Sequence, residues 1–151
     1  MFEQIAGKIW RKIPRRWRQR LIRATQKKFT ASAGAIIVNE KKEVLLLEHA
    51  MRAGPGWGIP GGFLEHREQA DEGLRRELRE EIALELKNIR LLRVKTVGSH
   101  IEFFFYAEAN SPAEIKSREI ISIRWFEPDE LPEELLLSQK RLIRQVLSGE
   151  I

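Results

Sequence analysis

The chain has 151 residues, 42% of them hydrophobic and 32% charged, which suits one soluble globular domain with a short extension. It contains no cysteine, which excludes disulfides, thiolate zinc sites and cysteine nucleophiles. The formal net charge of +5 is unevenly spread: residues 1–30 carry ten Lys/Arg against Glu3, a charge of +9, and residues 31–151 carry seventeen against twenty-one acids, a charge of −4.

Residues 1–29 have apolar side chains at positions 2, 5, 9, 13, 17, 21 and 24, and read as a basic amphipathic helical extension, either one helix or two short ones divided at Pro14. Three uses of this arm stay open. Its Trp10, Trp17 and Leu21 face can pack on the domain or on a twin subunit in a homodimer. It can instead lie on an anionic membrane surface, or contact RNA phosphates. An organelle transit peptide is similarly Arg-rich, but the arm lacks serine. No apolar run approaches the ~18 residues of a membrane-spanning helix, and no apolar segment precedes a small-residue cleavage site. We therefore expect a cytoplasmic protein, peripheral to the membrane if the arm binds lipid.

From residue 30 the pattern changes. Ala31–Val38 and Glu43–Glu48 read as strands joined by a turn at Asn39–Lys42, and His49–Gly58 as a loop punctuated by Gly and Pro. A helix is predicted from Gln69 to Ile82 with Ala70, Leu74 and Leu78 as its packing stripe. Leu86–Val97, Ile101–Ala109 and Ile120–Phe126 follow as strands, with a polar connection at Asn110–Arg118. After a turn at Pro128–Pro132, a closing helix is predicted over Glu134–Leu147. Mixed strands and two helices in this order are compatible with a three-layer α/β/α domain on residues 30–151.

The densest chemistry is Arg76-Glu77-Leu78-Arg79-Glu80-Glu81. On a helix Glu77 and Glu81 lie about 40° apart around the axis, and Glu77 and Glu80 about 60° apart. Each such like-charge pair costs roughly a few tenths of a kcal/mol, and late helical turns disfavour anions. A hard divalent cation with oxygen ligands, Mg²⁺ first and Mn²⁺ as the alternative, would offset that charge. The plainer reading is a solvated face held by Glu72–Arg76 and Arg76–Glu80 pairs. That accounts for any one glutamate, but poorly for the whole set placed after a Pro60-Gly61-Gly62 turn.

The spacing from Gly62 through Glu68 to Arg76-Glu77-Leu78-x-Glu80-Glu81-x-x-Leu84, approached by Trp57-Gly58-Ile59-Pro60-Gly61, resembles the signature box of the Nudix hydrolases. Ala83 stands where the family has glycine, a substitution that costs ~1 kcal/mol if the helix ends in a left-handed residue there. The resemblance covers about residues 30 to 151 and implies a Nudix fold, a mixed β-sheet sandwiched between helices. It also implies a divalent-metal-dependent pyrophosphohydrolase that cleaves a nucleoside diphosphate linked to another group by water attack on phosphorus. The partner would then be a nucleotide-type small molecule.

By the same resemblance Glu80 and Glu81 would be the principal metal ligands and Glu77 a further ligand or the base, since members differ over which carboxylate acts as base. Gly61 would offer its carbonyl to a metal, and Gly62 would let the loop turn close to the phosphates. Glu68 and Arg76 would form the salt bridge that fixes the helix, with Leu78 and Leu84 anchoring it beneath. A later carboxylate often joins the metal site in this family; Glu119 is preferred over Glu102 and Glu108, and each also reads as surface charge. Trp57 either stacks on substrate or anchors its loop. His100 reads as a satisfied polar residue, and Phe103, Phe104 and Phe105 as core with at most one face lining the pocket. Residues Ser99 to Glu102 carry neither the proline associated with ADP-ribose enzymes nor the tyrosine of dinucleoside-polyphosphate enzymes, so nucleoside triphosphates, sugar nucleotides and capped RNA stay open. The intact Glu77, Glu80 and Glu81 set favours an enzyme over the alternative, a non-catalytic nucleotide-binding or sensing module tethered by its arm.

Overall fold

The computed structural model describes residue 10 and residues 12–50 and 56–151. Seven strands form a mixed sheet: β1 (Thr30–Val38), β2 (Val44–His49), β3 (Trp57–Gly58), β4 (Gly61–Phe63), β5 (Leu86–Val97), β6 (His100–Ala109) and β7 (Ile120–Phe126). Helices α1 (Arg15–Thr25), α2 (Ala70–Ile82) and α3 (Leu137–Leu147) accompany them. β1 is the hub. It runs parallel to β6 along its whole length, from Thr30↔His100 to Val38↔Glu108, and antiparallel to β4 on its other edge. β5 pairs antiparallel with β6, while β2 pairs antiparallel with both β7 and β3 and meets β1 at Val38↔Val44.

The near-continuous apolar runs of β1 and β2 follow from burial on both faces of the sheet. Ala33, Ala35, Ile37, Leu45 and Leu47 face one core with Leu74, Leu78 and Ile82 of α2. Their neighbours Ile36, Val38, Val44 and Leu46 face a second core with Leu142, Ile143 and Val146 of α3. Alternation along the strands thus sorts residues into two layers, and the architecture is α/β/α with an added N-terminal helix.

The turn between β1 and β2 is built by Asn39, whose Oδ1 accepts hydrogen bonds from the amides of Lys41 (2.9 Å) and Glu43 (3.0 Å). The expected loop over His49–Gly58 contains the short strand β3, and its residues 51–55 lie outside the described ones. The closing helix corrects the expectation: it begins at Leu137, not Glu134. The Leu135 amide closes a turn on the Pro132 carbonyl at 3.1 Å, and Leu136 is extended (φ −52°, ψ 133°) as the helix cap. Leu135 is still buried in the second core, so its apolar character reports packing and not helix. In the arm, α1 starts directly after Pro14, as the division at that proline predicts, and buries none of its residues. The parts of the arm reading that fall on residues 1–9 and 11 lie outside the described residues.

α2 ends in Ala83 in the left-handed conformation (φ 51°, ψ 26°), the backbone that a glycine would adopt there with least strain. The amides of Ala83 and Leu84 bond back to the carbonyls of Arg79 (3.1 Å) and Leu78 (3.2 Å), which locks the turn despite the strain. Ala83→Gly is therefore expected to stabilise the fold by about 1 kcal/mol, or about 3 °C in melting temperature for a chain of this size. Calorimetry checks this, and an unchanged or lowered melting temperature would mean that the cap is unstrained.

Candidate active site

Two things place the carboxylates. The first is the fit between β4 and α2. Gly61, at φ +149°, lies so close on β1 that a Cβ would collide with the Ala33 carbonyl oxygen and the Gly34 Cα. A Cβ on Gly62 would run into the Glu77 side chain, so glycine here lets the strand lie against the helix. The second is a guanidinium knot. Arg76 grips Glu68 with two parallel bonds, Nε to Oε1 at 2.8 Å and Nη2 to Oε2 at 3.1 Å. Its Nη1 also donates to Glu77 Oε1 at 3.0 Å and Glu80 Oε2 at 3.3 Å, and its Nη2 to the Phe63 carbonyl at 3.2 Å.

The expected Glu68–Arg76 bridge is thus present in the bidentate form that favours arginine over lysine. The Arg76 hydrogen bonds, with one from the Glu65 amide, hold the Glu68 carboxyl down to about 2. The Arg76 guanidinium is raised in turn, chiefly by its bond to Glu68. Gly73 serves the same junction: a Cβ there would come within 2.8 Å of Glu68 Oε2.

Glu81 is held differently. Its Oε2 is buried and meets no hydrogen-bond partner. Burial first, and then the charges of Glu77, Glu119 and Glu80, push its carboxyl up to about 7. Glu119 reaches this neighbourhood because the connection before β7 is stitched onto the end of α2. The amides of Glu114, Lys116 and Ser117 bond to the carbonyls of Ile82 (2.8 Å) and Glu81 (2.8 and 3.1 Å), satisfying orphan groups of the last turn. Glu102 lines the neighbouring cavity and Glu108 pairs with Asn88, and neither charge acts on Glu81. Glu102 is 3.9 Å from Lys95 Nζ, and Glu108 accepts from Asn88 Nδ2 at 2.8 Å.

Among the described residues no three His, Asp or Glu side chains are already gathered into an ion-binding cage; Glu77 and Glu80 are engaged by Arg76. The residues nevertheless fit a hard divalent cation. They supply carboxylate oxygens of the right chemistry, and the partnerless, shielded Glu81 oxygen amid three further carboxylates is the donor such an ion would satisfy.

Beside this cluster a cavity of about 530 Å³ opens between the sheet and the start of α3. Gly61, Gly62 and Phe63 form the wall nearest the carboxylates, and Arg93, Lys95 and Phe104 line it from β5 and β6. Arg93 sits over the Phe104 ring at 5.6 Å. Gln139 at the start of α3 accepts a hydrogen bond from the Ile59 amide on Oε1 at 3.3 Å, which fixes its NH₂ as the free end.

Sequence reasoning missed Arg93, Lys95 and Gln139. The spacing of 93 and 95 on one face of a strand was the available signal, but bulges at Lys87/Arg90 and Leu91/Arg93 shift the register and hide which face that is. Trp57 is not among the cavity-lining residues. Its ring packs edge-on against Phe126 at 5.2 Å. His100 is satisfied as expected, within 2.7 Å of Thr30 Oγ1 and 2.9 Å of Ser32 Oγ. Phe105 is core, whereas Phe103 and Phe104 are only partly buried and reach the cavity.

The NUDIX domain family model matches residues 28–146, most of the chain. The chain belongs to the NUDIX family. Its mixed sheet between helices is the Nudix fold.

Over 77 residues it is 42% identical to the 8-oxo-dGDP phosphatase NUDT18 of Danio rerio, a match that covers 50% of this chain but only 24% of that relative. It is 28% identical over 125 residues to a putative 8-oxo-dGTP diphosphatase of Bacillus subtilis strain 168, covering 80% of this chain and 82% of that one. Among solved structures, a NUDIX hydrolase from Nitrosomonas europaea superposes with a TM-score of 0.71 at 25% identity, over 82% of this chain and 75% of that one.

Proposed function

We propose that this NUDIX protein is a divalent-metal-dependent pyrophosphohydrolase of nucleoside di- and triphosphates, cleaving a diphosphate P–O bond by attack of water on phosphorus. The observation that carries the proposal is the adjacency of two unlike environments across Gly62. On one side lie Glu77, Glu80, Glu81 and Glu119 with a partnerless buried oxygen; on the other lies a cavity lined by Arg93, Lys95 and Phe104. A polyanionic substrate needs both. Bound divalent ions, Mg²⁺ or Mn²⁺, would neutralise phosphate oxygens and acidify a water.

The chain's own contributions follow from its geometry. Glu80, Glu81 and Glu119, with the Gly61 carbonyl, would hold the ions. Glu77, lying against Gly62, would be a further ligand or accept the proton of the attacking water. Arg76 fixes the loop to the helix and holds Glu77 in place. Arg93 and Lys95 would draw in the phosphate chain, with the Phe104 ring backing the Arg93 guanidinium. The free NH₂ of Gln139 is a donor, which suits a base edge presenting acceptors. The relatives named as 8-oxo-dGDP phosphatase and 8-oxo-dGTP diphosphatase make oxidised guanine nucleotides the first substrates to try.

The test is phosphate release with Mg²⁺ or Mn²⁺ across guanine and 8-oxoguanine nucleotides, ADP-ribose, sugar nucleotides and 5′-triphosphate RNA. Folded protein that binds nucleotide and metal yet turns over none of these would overturn the enzymatic reading and leave the sensing module. A companion variant separates the cavity from the carboxylates. Arg93→Gln with Lys95→Gln is expected to raise KM about tenfold, the loss of one or two charge-assisted contacts, while leaving kcat nearly unchanged. A fall in kcat at constant KM would place these cations with the reacting phosphate instead.

A further inference from the structure

We infer that α1 is an interfacial helix that docks the protein on an anionic phospholipid surface. The inference is independent of the hydrolytic reading, because no residue of α1 belongs to the candidate active site. α1 has the sequence RRWRQRLIRAT and buries none of its residues against the domain. Trp17, Leu21 and Ile22 are about half exposed, at 50%, 48% and 47%, and Trp10 is exposed at 38%.

Around the helix axis, at 100° per residue, Trp17, Leu21 and Ala24 fall on one side. Arg16, Arg20 and Arg23 form a flank centred about 100° round the axis from them. The Arg20 guanidinium of that flank lies over the Trp17 ring at 5.2 Å. An aromatic ring between an apolar stripe and a cationic flank matches the layered polarity of a membrane interface, where Trp sits at headgroup depth and Arg reaches the phosphates.

Charge selects the occupant. From residue 4 to residue 39 the sequence has no Asp or Glu, while Lys12, Arg15, Arg16, Arg18, Arg20, Arg23, Lys27 and Lys28 all carry positive charge. Among the described residues no α1 arginine takes part in an ion pair, and the shielded Arg18 Nε has no acceptor. A second copy of the arm would bring like charges together. A nucleic acid would answer the cations but leave the Trp17–Leu21 stripe in water. A bilayer carrying anionic lipid answers both faces. No helix among the described residues is long and apolar enough to cross it, so the contact is with the surface.

The experiment is flotation of the full chain with vesicles of phosphatidylcholine alone or mixed with phosphatidylglycerol, beside gel-shift on single-stranded RNA and sedimentation velocity. Binding is expected only to the mixed vesicles. Arg16→Gln, Arg20→Gln, Arg23→Gln together should weaken it about 100-fold, each cation near an anionic surface contributing about fivefold. Trp17→Ala with Leu21→Ala should weaken it at least tenfold at unchanged charge, and nucleotide hydrolysis should be unaffected in both variants. Absence of binding to the mixed vesicles overturns the inference. So does RNA binding that survives Trp17→Ala, Leu21→Ala without lipid binding, and so does a dimer abolished by that variant in the absence of lipid.

Discussion

Glu81→Gln is expected to cut kcat by about 10³-fold, the scale on which a missing electrostatic group at a reacting centre is felt, and at the same time to make the metal-free protein more stable. The two effects have one cause. A carboxylate with a buried, partnerless oxygen amid Glu77, Glu119 and Glu80 is a poor choice for folding and a good one for holding positive charge. Its carboxyl is raised from the ordinary 4.5 to about 7, so the folded state holds a proton that the unfolded chain has released.

The sign is then fixed. In a chelating buffer the contribution of Glu81 to stability is fully present below pH 4.5 and is lost as pH rises towards 7. Allowing for solvent screening of a partly exposed group, that loss is about 1–2 kcal/mol. Denaturant titrations in EDTA at pH 5 and pH 8 measure it, and Glu81→Gln should flatten the difference. Wild-type turnover by the variant, or an unchanged pH slope, would remove Glu81 from the site.

The second large effect belongs to Arg76. Arg76→Ala leaves Glu68, Glu77 and Glu80 without their shared cation and unties Phe63 from the helix. In the proposed mechanism Arg76 acts through Glu68 and Glu77, as a positioning residue. A displacement of Glu77 by about 1 Å is enough to lower kcat about 100-fold, and KM should change little because the cavity-lining cations are untouched. Arg76→Lys should recover only part of the rate, since one ammonium cannot reproduce the paired bonds to Glu68 Oε1 and Oε2 at 2.8 and 3.1 Å. Full recovery by lysine would mean that charge alone matters there. A rise in KM without a loss of kcat would place Arg76 on the substrate.

The parts of the molecule that sequence made legible are those where one physical demand dominates. The stripe of Leu74 and Leu78 must be buried and recurs at helical spacing, so α2 was found almost to the residue. The doubly buried β1 and β2 announced themselves as continuous apolar runs. Glu68, Arg76 and the glutamates of α2 were legible because their spacing resembles a family box. The rest required tertiary information. Leu135 is apolar for the second core and so counterfeited a helical turn that Leu136 refuses. Arg93 and Lys95 carry no local sign of a pocket, because two bulges in their strand and the nearby Phe104 are what bring them to the cavity. Nothing local could say that Trp57 would spend its ring on Phe126, 69 positions away.

The parallel pairing of β1 with β6 also bears on biogenesis. Thr30 lies beside His100 and Val38 beside Glu108, so the hub strand finds this neighbour only after some seventy further residues have been synthesised. Until then β1, one of the most apolar segments of the chain, keeps an open edge, and contacts of such long range slow folding. Nascent chains stalled before residue 100 would expose that edge and be prone to aggregate. The hydrolytic site inherits this timing, because Gly61 and Gly62 rest on the same β1 residues, Gly34 and Ala33, whose other edge β6 closes. Catalytic competence is therefore a late event in the life of each molecule, gated by the arrival of a strand that contributes none of the proposed metal ligands.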